Sequence, residues 1–279
     1  MEDGRAQHPA ISLMTHTVLL GLLLVFLGPF LWLTSTSLKT DKAMFRMPPQ
    51  FVPDPVTFEH YEHAVTKFPA LRYTANTLLI VLLSTLGTLL SCSMAAYAFS
   101  RLRWPDRGIL FSLILATMML PGQVTMIPVY ILFTKLRWID TFLPLIVPAF
   151  FGNAFFIFLL RQFFLTIPEE LLEAARMDGA SEWRVFWQIV LPLSKPALLT
   201  VMIFSVLRAW NDFMGPLIYL TSERHRTLAL GLAHLRGVQG TEWGLLMAAS
   251  MLMLLPALLL FFVTQRFFIE GIALTGTKG

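Results

Sequence analysis

EAARMDGASEWRVFWQIVLPLSKP, Glu173 to Pro196, is a polar, helix-forming, glycine-punctuated island set between apolar runs long enough to cross a bilayer. A chain that surfaces from lipid with this mixture of charges and small residues offers a grip for a second protein. Its local physics predicts two helices. Thr166 and Glu169 have the T-x-x-E spacing of a capping box around Pro168, which predicts a helix starting there and running through LLEAARM. Gly179 supplies the left-handed stop. On that helix Leu171, Ala174 and Ala175 share one side, small at its centre, with Glu173, Arg176 and Asp178 as rim charges. A second helix from Ser181 is predicted to bury Trp183, Phe186, Trp187 and Val190, with Pro192 and Pro196 marking the return to the membrane. Taken by pattern alone, the segment also fits an interfacial amphipathic helix on a solvated loop.

Working outward, the chain is 56% hydrophobic and 14% charged over 279 residues, a balance that excludes an ordinary soluble domain. Six apolar stretches stand out, roughly 14–36, 75–99, 109–133, 142–164, 197–220 and 244–268, each near or above the ~20 residues that span hydrocarbon as a helix. Six crossings put both termini on one side. The first stretch runs too long for a secretory signal and lacks a small-x-small cleavage site, so a retained helix is expected. The connections leave no room for a separate soluble domain, and residues 1–279 read as one membrane domain. The longest of them, about Leu38 to Arg72, is proline-rich, with one short helix predicted at Phe58 to Val65. The single Cys92 falls in the second stretch and reads as a packing residue.

Lys and Arg are shared evenly between the two faces, so the positive-inside rule does not fix orientation; the dense RLRWPDR turn (Arg101, Arg103, Arg107) leans toward cytoplasmic termini. The net charge of +4 suits a protein beside anionic lipid, and nothing in the pattern suggests nucleic acid. HExxH, GxSxG and paired CxxC patterns are missing from the sequence. The closing GIALTGTKG spaces Gly271 and Gly276 like a phosphate-binding loop, but Thr277 stands where the lysine belongs, so nucleotide binding by this chain is not expected.

Polar residues within the apolar stretches are candidates for a solute pathway, because an intramembrane charge or amide is costly unless it faces protein or water. Arg208, Asn211 and Asp212 lead, with Trp210 offering an aromatic face; Gln123, in the Pro- and Gly-broken MLPGQVTMIP, and Asn153 beside Gly152 follow. The alternative for Arg208 and Asp212, four residues apart, is mutual neutralisation on one helix face. Trp138, Trp243 and Tyr219 are expected in the interfacial belt.

Glu173, Ala174, Ala175, Asp178, Gly179, Ala180, Ile189, Leu191 and Pro192 together resemble the EAA signature of bacterial ATP-binding-cassette importer permeases. AWNDFMGPLIYL (Ala209 to Leu220) and QRFFIEGIALTGTKG from Gln265 resemble the carbohydrate branch of that family, with coverage from about Leu71 onward. The resemblance implies an all-α polytopic membrane protein of the type I importer permease fold. It implies six transmembrane helices, a core at about 71–268, a cytoplasmic coupling helix within loop 166–191 and a cytoplasmic tail at 269–279. It further implies residence in the bacterial cytoplasmic membrane, a second homologous permease, an ATPase dimer that uses the ATP and Mg, an extracytoplasmic solute-binding protein and a carbohydrate cargo, with no cofactor on this chain. Carried over by position, Glu173, Ala174, Ala175, Arg176, Asp178 and Gly179 would seat in the ATPase. Leu274 to Gly279 would reach between the ATPase subunits as a helix-poor ending, and Ser222 to Trp243 would meet the binding protein. A permease for peptides or amino acids, and a secondary transporter using Arg208 and Asp212 as a proton relay, are the competing readings.

Overall fold

The computed structural model describes residues 9–66, 68–236 and 241–276, and all regular structure among them is helical. The chain divides into two compact units, Met1–Ala70 with Leu232–Leu255, and Leu71–Gly231 with Pro256–Gly279.

In the first unit α1 (Pro9–Ser37) carries the apolar run Met14–Ser37 at mean hydropathy 2.2, and every side chain from Met14 to Leu27 is exposed. A helix that is apolar all round and uncovered is solvated by lipid. Its C-terminal end turns polar and buried. Ser37 Oγ pairs with the Tyr61 hydroxyl at 2.8 Å, the Lys39 ammonium lies 4.3 Å from the Trp32 ring centre, and His60 Nε2 meets the Lys39 carbonyl at 2.9 Å. His60 and Tyr61 come from α2 (Glu59–Thr66), one residue on from the helix expected at Phe58 to Val65. Gly244 lies so close under the His60 imidazole that any Cβ there would overlap the ring.

The second unit is built around α3 (Ala70–Arg101), which spans without interruption. The stretch expected at Ile109 to Phe133 is instead two helices, α4 (Arg107–Thr117) and α5 (Gly122–Lys135), meeting at 96°. Pro121 is the cause: it is extended (φ −60°, ψ 132°), has no N–H to give, and biases the residue before it away from helix. Pro128 is absorbed inside α5. The stretch Phe142 to Phe164 is also divided. A turn at Leu143–Ile146 and a 3-10 turn at Val147–Phe151 stop at Gly152, whose φ of +90° suits glycine. The Asn153 side chain then accepts the Phe156 N–H and caps α6 (Ala154–Phe164). After the polar island, treated below, α9 (Lys195–Trp210) packs on α6 and is followed by α10 (Met214–Tyr219), α11 (Leu228–His234) and α12 (Trp243–Gly276). Because α12 continues to Gly276, residues 274–276 of the expected helix-poor ending are helical; Ile272, Ala273 and Leu274 continue the helix without a breaker. Residues 277–279, which end the expected ATPase-reaching tail, lie outside the described residues.

Three helices among the described residues are long and apolar enough to cross singly (Met14–Ser37, Ala70–Arg101, Leu143–Phe164), and two bent pairs pass the same test together. One buried core joins α3, α6 and the island: Cys92, Ala96, Tyr97, Phe156, Leu160, Phe164, Leu172, Val185 and Val190. Cys92 is fully buried and its Sγ accepts the Asn153 N–H, in keeping with a packing role. Tyr219, expected in the interfacial belt, is buried, and its ring meets Tyr130 and Phe133.

Asp140 ties the loop after α5 to the chain leaving α10. Its Oδ1 accepts N–H groups from Thr221 and Ser222 and the Ser222 hydroxyl at 2.8 to 3.0 Å. The Ser222 N–H, more than any other neighbour, holds the Asp140 carboxyl well below the usual carboxylate range, against the opposing effect of burial. A depressed folded pKa means this clamp contributes fully above about pH 4 and is lost as pH falls below that. Asp140→Asn should lower the melting temperature at pH 7 and flatten its decline toward pH 3, measured on the detergent-purified protein.

Candidate functional site

The polar island folds as an elbow of two helices. The first, α7 (Glu169–Met177), begins after an extended Pro168, and the expected capping box does not form. The Thr166 hydroxyl donates back to the Phe163 carbonyl at 2.7 Å, and the Glu169 carboxylate is taken by two guanidinia, Arg101 and Arg176. The helix stops as predicted at Gly179, φ +81°. Gly179 N–H donates to the Arg176 carbonyl and Ala180 N–H to the Ala175 carbonyl, the paired bonds of a Schellman motif. Ser181 then caps α8 (Glu182–Leu193), which contains a π turn at Phe186–Val190. A 79° break at Ser194 leads into α9.

The inward side of the elbow is Leu172, Val185, Phe186 and Val190, buried beneath α3 and α6. Trp183 and Trp187, expected to be buried, are 61% and 42% exposed; they stand against Phe186 with their outer faces open, because Val185 takes the inward position. The outward side of α7 is Glu170, Leu171, Glu173, Ala174, Met177 and Asp178, with Met177 88% exposed and Ala175 half-buried. Arg176 departs from the expected rim role. Its Nε donates to Glu182 at 2.8 Å and its Nη1 to Glu169 at 3.1 Å, so it fastens α8 to α7. These bonds, that to Glu182 first, hold the Arg176 guanidinium above its ordinary range. Burial pushes the Glu169 carboxyl up, but the Arg176 hydrogen bond and the Arg101 charge outweigh it and the carboxyl sits below its usual value. Arg101 was legible in the sequence only as an orientation charge; its burial and its pairing with Glu169 are set by tertiary packing.

The pathway candidates divide. A cavity of about 340 Å³ is lined by Ser84 and Thr88 of α3, Gly152 and Asn153, Ser205 and Arg208 of α9, and Asp212. Three candidates therefore meet in one space: Asn153, Arg208 and Asp212. Gln123 is exposed on the first turn of α5 and does not line it, Trp210 is buried at 5% exposure, and Asn211 turns its amide back onto the Leu207 carbonyl at 2.8 Å. Among the described residues Arg208 and Asp212 form no ion pair. The Asp212 carboxylate instead accepts the Gly215 N–H at 3.1 Å, three residues on, at the start of α10. A Cβ on Gly215 would stand 2.5 Å from Asp212 Oδ2 and 2.9 Å from Leu145, so any larger residue there must displace the Asp212 carboxylate or the Leu145 side chain. Ser205 was not anticipated, although its spacing of three and seven from Arg208 and Asp212 is a helical-face signal. Thr88 and Ser205 are buried residues that border this space.

Residues 87–273 match the family described as binding-protein-dependent transport system inner membrane component. The chain belongs to that family. The permease is 34% identical over 272 residues, 96% of each chain, to the arabinooligosaccharides transport system permease protein of Bacillus subtilis. It is 31% identical over 271 residues, 94% of this chain and 96% of the other, to the sn-glycerol-3-phosphate transport system permease protein of Yersinia pestis. Its structure superposes at a TM-score of 0.81, with 26% identity over 96% of this chain and 99% of the other, on a chain of a bacterial ABC transporter involved in importing the acidic polysaccharide alginate. The permease is thus a multi-pass membrane protein with the ABC importer permease fold. It is a translocation-pathway subunit, and family members of this kind carry no ATPase site of their own.

A Cβ on Gly179 would meet nothing within 4 Å, so a substitution there is penalised by backbone strain alone. Gly179→Val should destabilise the purified permease by ~1–2 kcal/mol, with Gly179→Asn better tolerated, read from thermal unfolding.

Proposed function

We propose that the permease passes a sugar or sugar-like solute through the cavity at Asn153, Arg208 and Asp212, and takes its motion from a separate ATPase seated on the outward face of α7. Six crossings, both termini in the cytoplasm, and a second homologous permease supplying the other half of the pathway complete the assembly. An extracytoplasmic binding protein delivers the cargo, and ATP and Mg belong to the ATPase subunits. The observation that carries the coupling reading is the exposed strip Leu171, Ala174 and Met177 between Glu173 and Asp178. On a soluble face an apolar strip with a small centre and charged edges is a surface waiting for a partner. Ala175 contributes from the half-buried side, while Arg176 acts from within the elbow.

For the cargo, the lining supports hydroxyl recognition: hydroxyls from Thr88 and Ser205, the Asn153 amide, a cationic donor and an anionic acceptor. Gln123, Trp210 and Asn211 stand outside that lining. The relatives named for arabinooligosaccharides and glycerol phosphate favour the same class over peptides or amino acids. The unpaired arrangement of Arg208 and Asp212 gives no support to the proton relay.

Glu173→Lys should abolish co-purification of the ATPase while the permease still inserts; intact association and transport would refute the coupling face. Asp212→Ala should leave assembly intact and reduce cargo-stimulated ATP hydrolysis at least tenfold in proteoliposomes, about 1.4 kcal/mol. An unchanged rate and selectivity would remove Asp212 from the pathway.

A further inference from the structure

The elbow is continuous in sequence with α6 and α9, and that continuity alone gives two routes for motion to enter the membrane. A third route is present in side chains. Arg101, the last residue of α3, is 6% exposed at its side chain and donates to the Phe164 and Ile167 carbonyls and to the Glu169 carboxylate. The other oxygen of Glu169 accepts from Arg176, Arg176 donates in turn to Glu182, and Glu182 accepts the hydroxyl of Tyr97 at 2.5 Å. Tyr97 lies on α3, one turn before Arg101, so the series leaves α3 at its end, passes through α7 and α8, and returns to α3. Packing reinforces the closure: the Tyr97 ring is 5.2 Å from Phe186, and Arg161 of α6 donates to the Phe99 carbonyl.

Charges arranged this way resist separation. Arg101 is the buried member, so opening its junction with Glu169 would strand a buried charge, which costs far more than the pair contributes while closed. The junctions at Arg176 and Glu182 are half-exposed and add geometry more than energy. We propose that the series Arg101, Glu169, Arg176, Glu182 and Tyr97 is a non-covalent third attachment of the elbow, making α3 follow the ATPase together with α6 and α9. Arg101 and Tyr97 are positioning residues in this scheme; neither reaches the outward face that the partner would touch. The inference rests on the coupling reading above.

The test is a spin-label distance measurement on the full importer complex in lipid, with labels on Arg103→Cys, beyond the end of α3, and Arg184→Cys, exposed on α8 and away from the proposed docking face. The intact series predicts that their separation stays within the ~1–2 Å shifts that packed helices tolerate when the nucleotide-free complex is trapped with ATP and vanadate. Glu169→Gln, and the milder Tyr97→Phe, which removes one hydroxyl and keeps the ring on Phe186, should each let the separation change on trapping while the ATPase still co-purifies. A separation that changes in the unsubstituted series, or that stays fixed in both variants, overturns the attachment. Failure of the underlying coupling reading has a different signature: the ATPase would co-purify undiminished with the Glu173→Lys permease.

Discussion

Arg176 between Glu169 and Glu182 is the interaction on which the elbow depends. Two short helices exposed at a membrane surface have little propensity to hold an angle by themselves, and α7, at nine residues, is below the length at which an isolated helix persists in water. One guanidinium bonded to both helices fixes that angle, and Arg101 fixes the pair to α3. Leu172, Val185 and Val190 then fill the interior with no exposed apolar surface of their own. What remains outside is the strip Leu171, Ala174 and Met177, free of structural duty and available to a partner.

The cavity follows from a different constraint. Irregular backbone at membrane depth survives only where protein or water satisfies its polar groups. Here two helices break at the same place, one at Gly152–Asn153 and the other at Asn211–Asp212, and each break is closed by its own side chain. The breaks leave Asn153, Asp212 and Arg208 facing a space that Thr88 and Ser205 border. The same residues that end the helices therefore furnish the chemistry of the proposed pathway.

Much of this was legible before any coordinates. Hydropathy marked the apolar stretches, Gly179 announced its left-handed stop, and the EAA resemblance named the family to which residues 87–273 belong. Three things were not legible. The capping box was outcompeted, because a carboxylate gains more from two guanidinia than from a backbone N–H, and neither guanidinium is near enough in sequence to be anticipated. The apolar count could not see the 96° turn at Pro121, since a window average is blind to a missing N–H. Burial of Trp183 and Trp187 was overestimated because size alone does not decide which face of a helix turns inward; Val185 and Phe186 took that face.

The central claim is that the outward strip of α7 is the handle of a separate motor, and site-specific protection tests it most directly. Cys92 is fully buried, which leaves a newly placed Ala174→Cys as the accessible thiol among the described residues. Its reaction with a membrane-impermeant maleimide, followed in inside-out vesicles with and without the ATPase subunits, should slow at least tenfold when they are present. Equal labelling in both preparations would contradict the account.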